Sequence, residues 1–411
     1  MTWKKYTRDE ISKRIFEALN QNVHYAEESI LGVPASYLDD KVFSKDKNFL
    51  KDAPFLSTLV ENPNHIGCHT VGSSESFFKG TQAIEREVVA ICAQEICKGG
   101  TEDFDGYVAS GGTEANLQAI WIYRNYYQRN LGLNAHEIAI LCSEDSHYSM
   151  DKAANVLGVQ LVKVAVEEKS RLIQSDDLNR VIASAKQNGV KAVIVVSNMM
   201  TTMFGSVDNP EVYATALLAQ NLPFKIHVDG AYGGFYYPFS DELSTVNFSN
   251  PLVNSITLDA HKMVQAPYGT GIFLVRKNWL QYATTESASY VEGEDCTLMG
   301  SRSGANAIAI WMILSTDGPY GWFEKVFILQ KRTDWICEQL TDLDVQFYRH
   351  PKSNIITIQA AFITSELANE FGLVPDNHHQ PSWYKIVVME HVTIEKVVPF
   401  LEKLKLELNG R

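Results

Sequence analysis

Residues 255–263 read SITLDAHKM, a short apolar strand that ends in an Asp-Ala-His-Lys corner. Ile256 and Leu258 are its apolar positions, and a Tyr-Gly-Thr-Gly segment follows at 268–271. A lysine in a tight loop between two apolar runs is poorly placed for a solvated surface lysine. Burial and neighbouring positive charge lower the pKa of such an amine, which favours condensation with an aldehyde. Lys262 is therefore a candidate nucleophile, although a strand-end lysine in water is the simpler interpretation of this residue alone.

Short apolar runs alternate with amphipathic segments on both sides of this corner. The apolar runs predict strands, and the amphipathic segments predict helices at 149–158, 175–188 and 210–221. Buried strands between amphipathic helices indicate an α/β fold with a mostly parallel central sheet and helices on both of its faces. The predicted strands are 137–143, 160–165, 191–197, 225–229, 254–258 and 271–276.

Ligands of such sheets bind at the carboxyl ends of the strands. The residues best suited to chemistry fall at these ends, and this coincidence is the strongest argument from the sequence for an active site. These residues are Gly112, Thr113, His147, Thr201, Thr202, Asp229, His261 and Lys262.

The remaining segments divide the chain into three predicted parts. Residues 1–60 form an N-terminal arm with a helix at 8–30, and residues 61–319 form a large domain that begins with a helix at 75–98. Residues 320–411 alternate helices and strands, which predicts a small α+β domain. Its predicted helices are 324–341, 364–371 and 393–408, and its predicted strands are 354–360 and 383–390.

The composition argues against several classes of protein. The 411 residues carry a net charge of -13, whereas non-specific nucleic-acid binders need positive charge to neutralise phosphates. No run reaches the ~18 apolar residues of a membrane span, and the N-terminus lacks the apolar core of a signal peptide. The six cysteines are dispersed, as is typical of a reducing compartment. We therefore expect a cytoplasmic protein that binds neither nucleic acid nor membranes.

The run DGYVASGGTEANL, residues 105–117, predicts a strand, a Gly-Gly-Thr turn and a helix. A helix N-terminus offers free backbone N–H groups and the positive end of the helix dipole, and glycines let a phosphate approach the backbone. Many strand–helix joints carry glycines, so this turn is a weak signal by itself. It also lacks the Gly-Lys-Ser/Thr ending of a Walker A loop.

Two histidines at a spacing of four, His65 and His69, raise the question of a metal site. Gly67 between them argues against a helix, and their surroundings supply no third ligand. A loop that faces a substrate is the favoured interpretation. We name His65, His69 and Phe77 as weak candidates for substrate contacts.

Four residues together match the requirements of one cofactor, pyridoxal 5'-phosphate. Its phosphate needs a helix N-terminus, which Gly112 and Thr113 begin, and its aldehyde needs an amine such as Lys262. Its ring nitrogen needs a carboxylate such as Asp229 to keep it protonated, because the protonated ring acts as an electron sink. His147 lies at another strand end, where it could stack on the ring or could equally be a core histidine.

Five motifs resemble a known family. YVASGGTEAN, SEDSHYSMDKAA, the run from Thr201 to Asp208, HVDGAYGGF and LDAHKM have the order and spacing found in the pyridoxal-phosphate-dependent group II amino acid decarboxylases. GSRSG follows in its expected place, and the resemblance covers residues 65–305. The His-Tyr-Ser triplet and the short length resemble the small bacterial and archaeal decarboxylases that act on serine, histidine, tyrosine or aspartate.

The resemblance implies the fold type I architecture and a homodimer with shared active sites. It implies that Lys262 forms the Schiff base, that Asp229 pairs with the ring nitrogen, and that His147 stacks on the ring and orients the substrate carboxylate. Tyr290, on a loop, would return a proton to the substrate carbon after carbon dioxide leaves. The other implied contacts are Gly112, Thr113 and His261 at the phosphate, Ser301 from the other subunit, Thr201 at the phenolic oxygen and Ala231 beneath the ring.

The implied activity is decarboxylation of an L-amino acid to its amine and carbon dioxide. A carbon–carbon lyase of the sphingosine-phosphate-lyase type or an aminotransferase would share the cofactor but break another bond. A cofactor-binding or structural α/β protein without turnover is the non-enzymatic alternative. Two features depart from the family pattern: Met199-Met200 replaces a frequent glycine before the Thr-Thr pair, and Asp259 adds a carboxylate near the phosphate. We assign Asp259 no ligand role, and the sequence does not identify the amino acid.

Overall fold

The computed structural model describes residues 2–22, 24, 47–66, 76–101, 104–284 and 295–410. The strands within these residues are β1 (Asn64–Ile66), β2 (Phe104–Ala109), β3 (Ile138–Ser143), β4 (Gln160–Val164), β5 (Ala192–Asn198), β6 (Phe224–Gly230), β7 (Val253–Asp259), β8 (Gly271–Arg276), β9 (Ser301–Ser303), β10 (Phe347–Tyr348), β11 (Ile355–Gln359), β12 (Val374–Pro375) and β13 (Trp383–Val387). The α-helices are α1 (Arg8–Leu19), α2 (Pro54–Glu61), α3 (Lys79–Ala90), α4 (Gly112–Leu131), α5 (Ser149–Leu157), α6 (Ser175–Gln187), α7 (Pro210–Ala219), α8 (Tyr237–Ser240), α9 (Gly304–Asp342), α10 (Ser365–Glu370) and α11 (Ile394–Asn409).

Seven strands form the central sheet, in the order β2-β8-β7-β6-β5-β3-β4. Strand β8 runs antiparallel to both neighbours, and the other six strands share one direction. All six strands predicted between residues 137 and 276 are present, and the mostly parallel α/β sheet is confirmed. The carboxyl ends of β2, β5, β6 and β7 therefore lie at the same edge.

Successive residues of the strands pack against helices on opposite faces of the sheet. Ile140 and Cys142 of β3 pack with α4 and α5 on one face. Ala139 and Leu141 pack with α6 and α7 on the other face, where α1, α3 and α9 cover the strands nearer β8. None of the helices that the structure describes is long and apolar enough to cross a membrane.

The first helix is shorter than the sequence predicts. Thr7 and Glu10 form a capping box at its start, as the spacing of these residues allows. The helix predicted over 8–30 ends at Leu19, where the chain turns. The turn brings the side-chain oxygen of Asn22 to the start of α3, where it accepts backbone hydrogen bonds.

The segment predicted as one helix over 75–98 has three parts. A 3-10 turn, Ser76–Phe78, precedes α3, and a π-helical turn, Ile91–Ile96, follows it. The hydrogen-bond spacing of each turn differs from that of an α-helix by only one residue. The apolar pattern therefore does not separate them.

The C-terminal part contains a four-stranded antiparallel sheet, β10-β11-β13-β12, which packs with α10, α11 and the second half of α9. Helix α9 bends at Gly318, whose φ of +65° lies in the left-handed region, and Pro319 follows. A Cβ at Gly318 would lie 2.7 Å from the Cβ of Lys5, so glycine also suits the packing there. The predicted boundary after residue 319 falls at this bend, and the division into three parts stays a prediction.

Candidate active site

A cavity of about 350 Å³ opens at the edge where the carboxyl ends of β2, β5, β6 and β7 lie. Its position agrees with the place that the strand pattern predicts for a ligand. The sequence-predicted residues that line it are Gly112, Thr113, His147, Thr201, Thr202, Asp229, Ala231, His261 and Lys262.

The start of α4 forms one wall of the cavity. Its N-cap residue, Gly111, offers no side chain to cap the first N–H groups of the helix. Gly112 is closely packed, because a Cβ there would lie 2.7 Å from Oδ2 of Asp259 and 3.1 Å from the Cβ of Ala231. This wall presents backbone N–H groups and the positive end of a 20-residue helix, which suits a phosphate.

Asp229 lies at the end of β6, where two hydrogen bonds fix its carboxylate. Nδ2 of Asn116 donates to Oδ2 at 2.9 Å, and the backbone N–H of Ala231 donates to Oδ1 at 3.1 Å. The side chain is buried but lines the cavity. Sequence reasoning missed Asn116, although it lies one helical turn after Thr113 and therefore on the same face of α4.

Asn116 also joins Asp229 to a buried series of polar groups. Its Oδ1 lies 2.9 Å from Nε2 of His227, whose Nδ1 lies 2.7 Å from the Ser255 hydroxyl. The Tyr123 hydroxyl donates to Ser255 at 2.6 Å. Burial lowers the pKa of His227 to about 4, against the opposing effect of Asp229, so the ring is neutral near neutral pH. When the His227 ring carries its proton on Nε2, each group of the series donates a hydrogen bond to the next group, and the last donor, Asn116, donates to Asp229.

His147 follows β3 and presents a neutral imidazole. The backbone N–H of Ser149 donates to Nδ1 at 3.2 Å, so the ring proton belongs on Nε2. Burial lowers the pKa of His147; Asp229 opposes this shift, and Lys262 adds to it. The ring of Tyr148 packs against the imidazole with centroids 4.1 Å apart. The Nε2–H group can therefore donate to an anionic ligand.

Lys262 lies in the corner after β7, with its amine against a carboxylate. Nζ is 3.1 Å from Oδ2 of Asp259, and the side chain is 34% exposed. Nε2 of His261 lies 3.7 Å from the same oxygen. The sequence predicts burial and a positive neighbour for this lysine, whereas the structure adds a buried counter-ion and partial exposure.

The turn that carries Thr201 is strained at the preceding residue. Met200 has a φ of +68°, in the region that favours glycine, and a side chain there costs about 1 kcal/mol. This conformation accounts for the frequent glycine of the family pattern at the Met199-Met200 position. Thr201 Oγ1 lies 2.8 Å from the Ser206 hydroxyl, so its side chain already has a partner within the turn.

Three predicted site residues lie outside this cavity, and two others lie outside the described residues. His65 is 1% exposed and both of its ring nitrogens are hydrogen-bonded, which places it in the core and not against a substrate. Ser301 begins β9 and is exposed, and Phe77 is half-buried in the 3-10 turn before α3. His69 and Tyr290 belong to segments outside the described part of the chain.

Glu85 of α3 is the centre of a buried ionic cluster near the start of α4. It pairs with Arg302 of β9, lies 2.9 Å from Nδ1 of His65, and accepts the N–H of Val108 at 2.8 Å. Burial by itself raises the pKa of Glu85, but Arg302 and His65 outweigh it and hold the pKa well below its usual range. The cluster therefore joins β1 and β9 to the end of β2, which leads into α4.

We expect Glu85→Gln to lower the free energy of unfolding by about 3 kcal/mol, because it removes the buried carboxylate that pairs with the Arg302 guanidinium. Glu87→Gln, on the same helix, is the matched control, since Glu87 is 40% exposed and pairs with Arg14. We expect the control to lose less than about 1 kcal/mol. Urea unfolding followed by circular dichroism measures both variants.

The pH dependence provides a second test of Glu85. A depressed pKa in the folded state adds stability above the pKa of an unfolded glutamate, and this stability is lost as the pH falls below that value. The difference between wild type and Glu85→Gln should therefore shrink on acidification. Equal losses for Glu85→Gln and Glu87→Gln at neutral pH would contradict the account of the cluster.

The residues around the cavity fit pyridoxal phosphate. The buried Nδ1 of His261 has no hydrogen-bond partner among the residues that the structure describes. This ring lies beside Gly111, where a phosphate on the start of α4 could accept a hydrogen bond from it. The amine of Lys262 and the carboxylate of Asp229 line the same cavity, so groups suited to the aldehyde and the ring nitrogen are also present.

Comparisons with known proteins give the family. Residues 61–326 match the model described as the pyridoxal-dependent decarboxylase conserved domain. The tryptophan decarboxylase of Clostridium sporogenes is 48% identical over 394 residues, which cover 96% of this chain and 94% of that protein. A probable L-tyrosine/L-aspartate decarboxylase of Methanocella arvoryzae is 30% identical, with 86% and 94% covered. The structure of L-methionine decarboxylase from Streptomyces sp.590 has a TM-score of 0.72 at 20% identity, covering 97% of this chain and 94% of that one, and supports the fold.

These matches confirm the resemblance that the five motifs carry, together with the fold type I architecture and the cofactor. The carbon–carbon lyase, the aminotransferase and the protein without turnover are set aside. The chain belongs to the pyridoxal-dependent decarboxylase family and is a pyridoxal-phosphate-dependent carboxy-lyase that converts an L-amino acid to its amine and carbon dioxide.

Proposed function

We propose that the substrate is an aromatic L-amino acid, with L-tryptophan preferred. The observation that carries this proposal is the 48% identity, over 96% of the chain, to a protein named as a tryptophan decarboxylase. The cavity supports it, because Tyr148, Met200 and Tyr232 line its wall. No arginine occurs among the described lining residues to pair with an acidic side chain.

An acidic amino acid is the second candidate, and Lys385 is the observation that favours it. This lysine extends from β13, and its Nζ donates to the backbone oxygen of Thr202 at 2.8 Å, at the edge of the cavity. Burial lowers the pKa of Lys385, and the charge of Lys262 lowers it further. The side-chain carboxylate of an aspartate or glutamate substrate could use this amine as a counter-ion.

A substrate screen separates the two candidates. We expect kcat/KM for L-tryptophan to exceed kcat/KM for L-aspartate by roughly a hundredfold, because an acidic side chain would enter an aromatic pocket unpaired. Amine formation from L-tryptophan, L-tyrosine, L-phenylalanine, L-aspartate and L-glutamate is measured with the cofactor added. A preference for L-aspartate that Lys385→Met removes would contradict the aromatic assignment and support the second candidate.

We propose that the described cavity residues hold the cofactor by three kinds of contact. Lys262 forms the covalent bond to its aldehyde, and Asp229 holds a proton on its ring nitrogen. The N–H groups at Gly112 and Thr113, with the imidazole of His261, bind its phosphate. When bound, pyridoxal phosphate supplies the electron sink for the bond that breaks. The hydrogen bonds that fix the Asp229 carboxylate support this arrangement.

We also propose roles for the residues around the ring and the substrate. Nε2–H of His147 orients the substrate carboxylate, Ala231 packs beneath the ring, and Thr201 contacts the phenolic oxygen. Tyr290 returns a proton to the substrate Cα once carbon dioxide has left. In the substrate screen, Tyr290→Phe should yield aldehyde in place of part of the amine, whereas an unchanged amine yield would remove Tyr290 from this role.

We propose that the enzyme is a homodimer in which Ser301 reaches the cofactor phosphate of the other subunit. The exposure of Ser301 on β9 supports this proposal. Sedimentation equilibrium should give twice the chain mass of 46.1 kDa, and a fully active monomer would contradict the proposed dimer.

We propose a cytoplasmic location for the enzyme. The five cysteines within the described residues are free thiols, as is typical of proteins in a reducing compartment.

A further inference from the structure

We propose that Asp259 is the base that takes a proton from the Lys262 ammonium, so that the free amine can attack the aldehyde of the cofactor. The inference rests on the proposed covalent role of Lys262. An ammonium has no lone pair to donate, so some group must first accept its proton. Among the residues that the structure describes, Asp259 is the one carboxylate at salt-bridge distance from this amine.

The geometry suits a direct transfer. Oδ2 of Asp259 lies 3.1 Å from Nζ of Lys262, within the reach required of a general base. The tight corner holds the two residues together, since the N–H of Lys262 donates to the backbone oxygen of Asp259 at 3.2 Å. The carboxylate is 4% exposed and the lysine side chain 34%, so the base is shielded from water while the amine reaches the cavity.

The charges around Asp259 favour its protonated form once a phosphate is bound. The groups that face it are Lys262, His261, Asp229 and the start of α4 at Gly112. Burial raises the pKa of Asp259; Lys262 and His261 oppose this shift, and Asp229 adds to it. A phosphate beside Gly112 would place further negative charge next to the carboxylate and raise its proton affinity again. A bound phosphate would therefore make the Asp259 carboxylate a stronger base.

The proton transfer is balanced within the pair. The Nζ–H bond of Lys262 breaks and leaves its electron pair on nitrogen, while an O–H bond forms on Oδ2 of Asp259. One ammonium and one carboxylate become a neutral amine and a neutral carboxyl group, and the total charge is unchanged. Two neutral groups are also less costly to bury than two ions whose hydration has been lost.

The test separates covalent bond formation from non-covalent binding. Cofactor-free wild type and Asp259→Asn are mixed with pyridoxal phosphate in a stopped-flow spectrometer, and the absorbance of the Schiff base is followed between pH 6 and pH 9. We expect Asp259→Asn to react about a hundredfold more slowly at neutral pH. Its rate should rise about tenfold per pH unit, because Lys262 must then lose its proton to solvent, whereas the wild-type rate should vary little.

Two further measurements distinguish a base from a residue that only shapes the site. Pyridoxine 5'-phosphate has the phosphate and ring but no aldehyde, and Asp259→Asn should bind it at least as tightly as wild type, because a negative charge is removed. Asp259→Glu keeps a carboxylate and should recover most of the rate at neutral pH. A wild-type rate and pH profile in Asp259→Asn, or a loss of pyridoxine 5'-phosphate binding by that variant, would overturn the proposal.

Control experiments distinguish the role of Asp259 as a base from the role of Lys262 as the amine that binds the aldehyde. Asp105→Asn is the matched control. Asp105 is a buried carboxylate near the amino end of β2, away from the cavity, and it accepts a hydrogen bond from the backbone N–H of Asn278. Its rate should equal that of wild type. Should Asp259→Asn fail to fold, Asp259→Ser replaces it with the same expectations. A wild-type protein that binds pyridoxine 5'-phosphate but forms no Schiff base would refute the role of Lys262, and the role of Asp259 with it.

Discussion

Asp229→Asn is expected to reduce kcat by about a thousandfold while the protein still binds its cofactor. Asparagine matches aspartate in size and keeps one oxygen to accept a hydrogen bond from Asn116 or Ala231. It carries no negative charge, however, and therefore cannot stabilise a proton on the ring nitrogen. Steady-state turnover of the preferred substrate and the absorbance spectrum of the bound cofactor measure the two parts of this expectation.

Asp105→Asn is again the matched control. Asp105 is 9% exposed and Asp229 is 8% exposed, and both belong to strands of the central sheet, but Asp105 lies at the opposite edge from the cavity. Turnover of the control should stay within about twofold of wild type, as expected of independent sites. Near-normal turnover in Asp229→Asn would show that its carboxylate does not hold the ring proton.

Lys262→Ala is expected to abolish the Schiff-base absorbance and to lower kcat/KM by roughly four orders of magnitude. Alanine removes the amine, so the aldehyde cannot be held covalently and the site loses the group that exchanges with the substrate amine. Non-covalent binding should persist, because the start of α4 and His261 are unchanged. Spectroscopy and turnover of the reconstituted variant measure these effects.

Lys225→Ala is the control for the loss of a partly buried lysine. Lys225 lies near the start of β6, and its amine is 4.8 Å from the centre of the Trp279 ring. Asp229 lies at the opposite end of the same strand. Burial lowers the pKa of Lys225, yet it does not line the cavity. Its variant should keep both the absorbance band and turnover. An intact band in Lys262→Ala would mean that another lysine makes the bond.

The sequence predicts the sheet and most of the cavity, because both follow from strand periodicity. Apolar runs of strand length placed β3 to β8 correctly, and strand ends are local features that meet at one edge of a parallel sheet. Gly112, Asp229 and Lys262 come from distant parts of the chain, yet each lies at the end of a predicted strand or within a few residues of it. Their gathering around one cavity could therefore be inferred without any contact being known.

Contacts between side chains could not be inferred in the same way. His65 looked like a loop residue facing a substrate, but its partners Glu85 and Thr81 belong to a helix that packs on it only in the folded chain. Asn116 has no strand-end signal, and its bond to Asp229 spans 113 residues. The ion pair of Asp259 with Lys262 depends on the backbone corner between them, which apolar patterning does not describe.

Borohydride reduction of the purified holoprotein tests whether Lys262 carries the cofactor. Reduction converts a Schiff base to a stable amine, so the site of attachment survives proteolysis and can be located by mass spectrometry. We expect the reduced coenzyme on the peptide that contains Lys262 and on no other. Recovery of the reduced coenzyme on a different lysine, or an active protein without any modified peptide, would show that Lys262 does not form the covalent bond.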